Sequence, residues 1–212
     1  MRLDITDLYN QHVLTVAKNF IKVTLTDADL DKITKFVDGL VVEKRRETRH
    51  LRDGISEKLR FIDGLKGERA LEYLLGIEII DWSMGESALY NVPDIPGYQV
   101  GIKTVGYGKF PVIPTENTYS QIICICHPSN PYLVYVCGLA EPVILNKFQN
   151  DDLLLDPNLK AKGTKTGFYG FRYLIKVDKL DDLKPYIGNI IRKEDTNDGG
   201  SKETSTSPEE SI

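Results

Sequence analysis

Asp94 and Lys103 are the clearest indication in the chain of chemistry on a phosphate group. They lie in the stretch NVPDIPGYQVGIKT, residues 91–104, where Asp94 follows a proline and Lys103 ends an alternating run. A carboxylate at the bend into a strand is a hard oxygen ligand for Mg²⁺ or Mn²⁺, ions usually held by one or two protein carboxylates together with substrate phosphates. A lysine on the adjoining strand can stabilise charge that develops on the phosphate. The alternative is an ordinary turn that leads into a strand with a solvated lysine.

The chain around this pair is predicted to form helices first and strands later. After Thr26 or Asp27, either of which can cap a helix, apolar residues recur at three and four spacing as far as Val41. A second helix is predicted in GLKGERALEYLLG, with glycines as punctuation. Strands are predicted at residues 98–103, 110–114, 119–127, 132–140 and near FRYLIKV, and the PSNP connection favours an antiparallel hairpin. This order predicts one α/β or α+β domain over residues 1–192.

Two glutamates on the second predicted helix could complete a site around Asp94. Glu68 and Glu72 are one turn apart and therefore share a helix face. If that helix packs on the strand, either carboxylate could approach Asp94. The alternative for Glu68 is a structural role near a helix start, where the helix dipole favours a carboxylate.

The order of these pieces resembles the PD-(D/E)XK nuclease superfamily, the restriction-endonuclease-like fold, of phage or bacterial type. The resemblance is carried by GERALEYLLG, VPDIPGYQVGIKT and SQIICIC, and it spans about residues 27 to 185. Members place a glutamate-bearing helix before a central hairpin that has a Pro-Asp turn and an (Asp/Glu)-x-Lys strand. The resemblance implies a central mixed sheet flanked by helices, an N-terminal helical segment, and hydrolysis of DNA phosphodiesters with Mg²⁺ or Mn²⁺.

The resemblance also assigns roles to single residues. Asp94 and Glu68 would hold the metal, and Lys103 would be the catalytic lysine that stabilises the transition state. Gln121, on the next strand, could add a neutral oxygen or position water, and Glu72 could support the site from the helix. One position departs from the pattern, because Gly101 stands where an acidic residue is expected two before the lysine. Either a longer glutamate from the helix fills the space above Gly101, or the protein keeps the fold without catalysis and binds nucleic acid or a protein partner.

Two basic segments are candidates for contact with DNA. The first is a run at the end of the first long helix, and the second is the lysine- and glycine-rich segment KAKGTKTGFYGF, where aromatic side chains follow the lysines. Both segments have structural alternatives, a solvated helix end and a loop anchored by its aromatics. The predicted contacts are Lys44, Arg45, Arg46, Arg49, Arg52, Lys162 and Lys165.

Composition limits the remaining classes of function. The chain has 212 residues, enough for one sizeable core, and we expect a cytoplasmic protein of a bacterial cell or phage-infected host, with DNA as partner, no membrane, and a homodimer left open. Three cysteines in apolar runs predict reduced core thiols rather than a zinc site. Residues 193–212 are polar, carry the whole net charge of −4, and are predicted to be a disordered tail. There is no phosphate-loop, nucleophile-elbow or H-E-x-x-H sequence.

Overall fold

The fold combines α-helices with a mixed β-sheet that the helices flank, as predicted. The computed structural model describes residues 4–44, 54–83 and 93–188. The predicted tail, and the arginines of the first basic segment, lie outside these residues. No helix in the described ranges is long and apolar enough to cross a membrane.

The helices before the sheet pack on both of its faces. α1 is Ile5–His12, followed by a 3₁₀ helix, Leu14–Asn19. α2, Asp27–Lys44, begins with a reciprocal cap, in which the Thr26 N–H donates to Asp29 Oδ2 at 2.8 Å and the Asp29 N–H donates to Thr26 Oγ1 at 3.2 Å. α3 is Gly54–Leu75 and ends at Gly76, whose φ of 69° is the left-handed conformation that glycine adopts at helix ends.

The main sheet has four strands. They are β1 (Ile21–Thr24), β2 (Val100–Gly106), β4 (Ser120–Cys126) and β5 (Leu133–Ala140), and their order in the sheet is β1-β5-β4-β2. β4 and β5 form the antiparallel hairpin predicted from PSNP, and β1 is antiparallel to β5. β2 pairs only with β4 in this sheet and therefore forms one of its edges. The two strands are parallel, so they are not joined as a hairpin.

A second, smaller sheet has three short strands. They are β3 (Val112–Pro114), β6 (Gln149–Asn150) and β7 (Lys165–Phe168), in the order β3-β7-β6. Two short helices lie near them in the chain, α4 (Pro142–Lys147) and α5 (Pro157–Lys162). Three further 3₁₀ turns lie at Asp151–Leu153, Phe171–Tyr173 and Leu180–Tyr186.

Two sequence expectations need correction. FRYLIKV is not a strand but a 3₁₀ turn with a single bridge between Ile175 and Leu139, whereas the loop expected in KAKGTKTGFYGF contains β7. The glycines of GLKGERALEYLLG do not all interrupt the helix, because α3 runs through Gly64 and Gly67. Thr166, Gly167 and Phe168 of β7 are buried, and this packing outweighs the turn preference of Gly167.

Apolar side chains form a core on each face of the main sheet. One core joins α2 and α3 to Val100, Ile102, Ile122 and Cys124. The other joins α1 and the smaller sheet to Ile123, Ile125 and Cys137. All three cysteines are buried with free thiols, as predicted. Because strand side chains alternate, Gly101, Lys103 and Gln121 belong to the face opposite α3.

Candidate functional site

Asp94 lies at the free edge of β2. Its Oδ2 accepts a hydrogen bond of 2.5 Å from the Ile102 N–H, and the Ile95 N–H donates to the Val100 carbonyl at 3.1 Å, so this turn covers the edge of the strand. Asp94 is an exposed residue, yet desolvation raises the pKa of its carboxyl, while the Ile102 N–H and Lys103 act to lower it. Asp94 therefore does have the structural role of a turn residue, because its Oδ2 holds the turn to β2. Its carboxylate also interacts electrostatically with Lys103.

Glu68 projects from α3 into a desolvated position beside the same edge. Burial raises its pKa from 4.5 to about 8, and the charges of Asp94 and Glu72 contribute to this rise. Burial, and then Glu68, raise the pKa of the Cys124 thiol to about 12, which places Glu68 near the middle of β4. Glu68 therefore holds a proton at neutral pH in the folded protein.

A close approach between α3 and β2 brings Glu68 to this position. A Cβ added to Gly67 would lie 1.8 Å from Thr104 Oγ1, so only glycine allows the backbone of the helix to come this close to the strand. Thr104 Oγ1 is buried without a hydrogen-bond partner in the described chain. The sequence indicates this contact only weakly. Thr104 continues the alternation of Val100 and Ile102, whose side chains face α3.

Lys103 projects from the other face of β2, where it meets Lys165. Lys165 is half-buried at the start of β7, and burial followed by the charge of Lys103 lowers its pKa. The fold thus gathers Glu68 from one side of the edge, Asp94 at the edge, and the two lysines from the other side. Each carboxylate or lysine interacts electrostatically with at least one other member of the set.

The space above Gly101 is not open to a helix glutamate. A Cβ at Gly101 would lie 2.7 Å from Gln121 Oε1 and 2.8 Å from Tyr119 Cε2, so these two side chains fill the space. Gln121 is 2% exposed, and its Oε1 has no hydrogen-bond partner in the described chain. The sequence prediction that a longer glutamate occupies this space is wrong, because Glu68 and Gly101 face opposite sides of the sheet. The oxygen that stands there belongs to Gln121.

Glu72 does not point into the site. Its Oε2 accepts from Arg69 Nη1 at 2.6 Å, and its Oε1 accepts from the N–H groups of Ile79 and Ile80 at 2.8 and 2.9 Å. Burial raises its pKa, but these donors outweigh burial and lower the pKa overall. Glu72 fixes the chain that leaves α3, and its only observed effect on the site is its charge near Glu68.

The comparisons with known proteins add no relative. No family model, curated protein or solved structure matches the chain. Within residues 4–44, 54–83 and 93–188, no three His, Cys, Asp or Glu side chains form a group that could hold a metal ion. The oxygen atoms near the β2 edge include the carboxylates of Glu68 and Asp94 and the Thr104 hydroxyl on the α3 side, and the Gln121 amide on the Lys103 side.

The predicted DNA contacts fall into three groups. Lys44 is the last residue of α2, and Arg45, Arg46, Arg49 and Arg52 lie outside the described residues. Lys162 is exposed at the end of α5, which terminates at Gly163 with a φ of 63°. Lys165 is the member that the fold places beside Lys103, which its position in the sequence did not indicate.

Proposed function

We propose that the chain is a metal-dependent nuclease that hydrolyses DNA phosphodiesters at the β2 edge. The observation that supports this proposal most directly is the electrostatic coupling of Glu68 to Asp94 and of Asp94 to Lys103, residues that are far apart in the sequence. Their order in the chain alone had singled out these three residues. If the match to the sequence pattern were accidental, nothing would require Glu68 to lie close enough to Asp94 for their charges to interact.

The electrostatics of the site favour a cation. Desolvation raises the pKa of both carboxyls, and the charge of Asp94 raises the pKa of Glu68 further. A positive charge close to both would relieve this cost. Glu68 and Asp94 would hold a divalent ion, in keeping with the one or two protein carboxylates that Mg²⁺ usually takes. A bound ion would supply polarisation of the phosphate and a more acidic water.

The lysines have roles on the other side of the edge. Lys103 can stabilise negative charge on the phosphate, and Lys165 can contact a neighbouring phosphate of the strand. The unpartnered Gln121 oxygen can accept a hydrogen bond from a water molecule. This division places the negative ligands and the positive phosphate contacts on opposite sides of one strand.

The test is cleavage of labelled single-stranded, duplex and branched DNA with Mg²⁺ or Mn²⁺. We expect Asp94→Asn, Glu68→Gln and Lys103→Met each to reduce the rate by at least about 100-fold, since each removes a group that acts on charge in the transition state. Glu78→Gln and Lys35→Met are matched controls, because both residues are exposed elsewhere on the molecule. No cleavage of any substrate, or unchanged cleavage by Asp94→Asn, would refute the proposal.

Metal binding gives a second, independent measurement. Because Glu68 must lose its proton to bind a cation, we expect Mn²⁺ affinity in calorimetry to rise about tenfold per pH unit up to about pH 8. Glu68→Gln should abolish this pH dependence. Affinity that does not change with pH in the native protein would contradict the role of Glu68 as a ligand.

A second candidate function is binding of nucleic acid or a protein partner on the same fold, without catalysis. Gly101 and its neighbours favour this alternative, because the position expected to be acidic is filled by Gln121 and Tyr119. Absence of Mn²⁺ binding, combined with DNA affinity that Lys103→Met and Lys165→Met weaken, would support this function over hydrolysis.

A further inference from the structure

A positively charged cleft lies at the β1 end of the molecule, away from the candidate active site. Its volume is about 560 Å³, and it is enclosed by the end of the first 3₁₀ helix, the start of β1, β5 and the segment 171–176. The charged side chains among its lining residues are all basic: Lys18, Arg172 and Lys176. The cleft therefore offers positive charge from two separate parts of the chain.

Two of these three basic residues make no ion pair within the described part of the chain. Lys176 Nζ is 2.7 Å from Asp178 Oδ2, so its charge is partly balanced. Neither Lys18 nor Arg172 makes an ion pair with any described acidic residue. Such unpaired cations in a concave place attract an anion, and a guanidinium can bind phosphate through two hydrogen bonds.

An aromatic pocket adjoins this cleft and shares Lys18 and Phe20 with it. The pocket has a volume of about 350 Å³, and Lys22 adds a further positive charge to its lining. Tyr9 and Tyr107 contact each other edge to face, with ring centroids 5.2 Å apart. The tyrosines of its lining are Tyr9, Tyr107 and Tyr135.

From this pairing we infer a nucleotide-binding site in which the cleft takes the phosphate and the adjoining aromatic pocket takes the base. Lys18, on the boundary, contacts the ligand between its two ends. Every base has a face that stacks on an aromatic ring, and phosphate is the group that lysine and arginine bind together. The ligand is either a free nucleotide or one unit of a single strand, which share this chemistry.

The site is distinct from the proposed catalytic edge. The cleft lies at β1, three strand spacings of about 4.8 Å, or roughly 14 Å, from β2 at the opposite edge of the four-stranded sheet. The aromatic pocket reaches Tyr107, which directly follows β2, but Tyr107 lies beyond the end of the strand from Lys103. Lys22 and Tyr135 are paired across β1 and β5, on the face that carries Lys103 further along the sheet. The nucleotide site does not require that β2 be catalytic.

The experiment is fluorescence anisotropy with a labelled oligothymidine of about 15 nucleotides in EDTA, which excludes metal-dependent cleavage. We expect Lys18→Ala/Arg172→Ala to weaken binding at least tenfold. The slope of log affinity against log salt should fall by about 0.7, because the cleft binds one phosphate and each phosphate that the protein no longer neutralises on a single strand contributes about 0.7. An abasic strand of the same length should bind at least about fivefold more weakly, since it has no base to stack. Lys35→Ala, an exposed lysine on the α2 side, is the matched control.

Competition distinguishes the two sources of the nucleotide. Thymidine monophosphate that displaces the strand from the native protein identifies a site for free nucleotides, whereas binding of the strand alone identifies a strand site. Three results would overturn the inference: no effect of the double variant on either ligand, an equal effect of Lys35→Ala, or displacement by inorganic phosphate at the same concentration as the nucleotide. Circular dichroism melting of each variant confirms that it is folded.

Discussion

Glu68 and Glu72 stand one turn apart on α3, and they have opposite electrostatic environments. Glu72 is buried but satisfied by Arg69 and by two backbone N–H groups, so its pKa is lowered. Glu68 is desolvated beside Asp94, and its pKa rises to about 8. Burial of a carboxylate alone therefore does not mark a functional site. A carboxylate desolvated beside another carboxylate carries a cost that a bound cation would reduce, which makes Glu68 the better candidate of the two for a ligand site.

The cluster around Glu72 extends to the start of α2. Arg69 Nε donates to Asp29 Oδ1 at 2.7 Å, and the Tyr73 hydroxyl donates to Asp29 Oδ2 at 2.8 Å. Burial raises the pKa of Asp29, but Thr26, Tyr73 and Arg69 together hold it well below its usual range. This cluster ties α2 to α3, and its two carboxylates share the Arg69 guanidinium as a counter-charge.

Removing the satisfied glutamate should have the largest effect on stability. Glu72→Ala leaves Arg69 and two backbone N–H groups without their acceptor, and we expect a decrease of about 3–5 kcal/mol in the free energy of unfolding. Urea unfolding at pH 7 measures it, with Glu72→Gln as a milder variant should the alanine protein not fold. If Glu68→Ala cost as much as Glu72→Ala, the contrast between the two glutamates would be wrong.

Removing the charge of Glu68 should instead stabilise the protein, and only at higher pH. Near pH 4 and below, Glu68 is protonated in both the folded and unfolded chains. Between about pH 4.5 and 8 the unfolded chain releases the proton and the folded chain keeps it, so the native protein loses stability as pH rises. We expect Glu68→Gln to be more stable than the native protein by about 1–3 kcal/mol at about pH 8.5 and equal to it at about pH 4.

The measurement is urea unfolding of both proteins across this pH range. The contribution of Asp29 to stability depends on pH in the opposite direction, because folding lowers the pKa of this carboxyl. This contribution is present above about pH 4 and is lost in acid. Asp29→Asn should therefore differ most from the native protein at neutral pH. A Glu68→Gln protein with the same pH profile as the native one would show that Glu68 is not desolvated.

Patterns in the sequence predicted the class of fold and the candidate residues, but not the sides of the sheet on which those residues lie. Period and capping residues predicted α2, α3 and the β4–β5 hairpin, since these depend on neighbours in the chain. The parallel pairing of β2 with β4 depends on packing between distant segments. For this reason the sequence could not show that Gln121 would fill the space at Gly101, or that Lys165 would reach Lys103.

The roles of the two glutamates could not be separated in the sequence for the same reason. Helix spacing puts Glu68 and Glu72 on one face, and nothing in that spacing distinguishes their environments. Which one finds donors depends on the chain beyond Gly76, where Ile79 and Ile80 turn their N–H groups back toward Glu72. That turn has no period that a sequence pattern would reveal.

Alanine substitutions at two glycines of α3 should change the stability least. They test whether the close packing of α3 on β2 creates the environment of Glu68. Gly67→Ala adds a Cβ against Thr104 and should cost about 1–2 kcal/mol, even though alanine favours the helix, whereas Gly64→Ala meets no atom within 4 Å and should gain about 0.5–1 kcal/mol. Because the new methyl pushes α3 away from β2, the Gly67→Ala protein should also lose part of the pH dependence attributed to Glu68. Urea unfolding at about pH 4 and about pH 8.5 measures both effects. Equal stability of the two alanine variants, with the pH dependence intact in both, would mean that the close approach of helix and strand does not create the environment of Glu68.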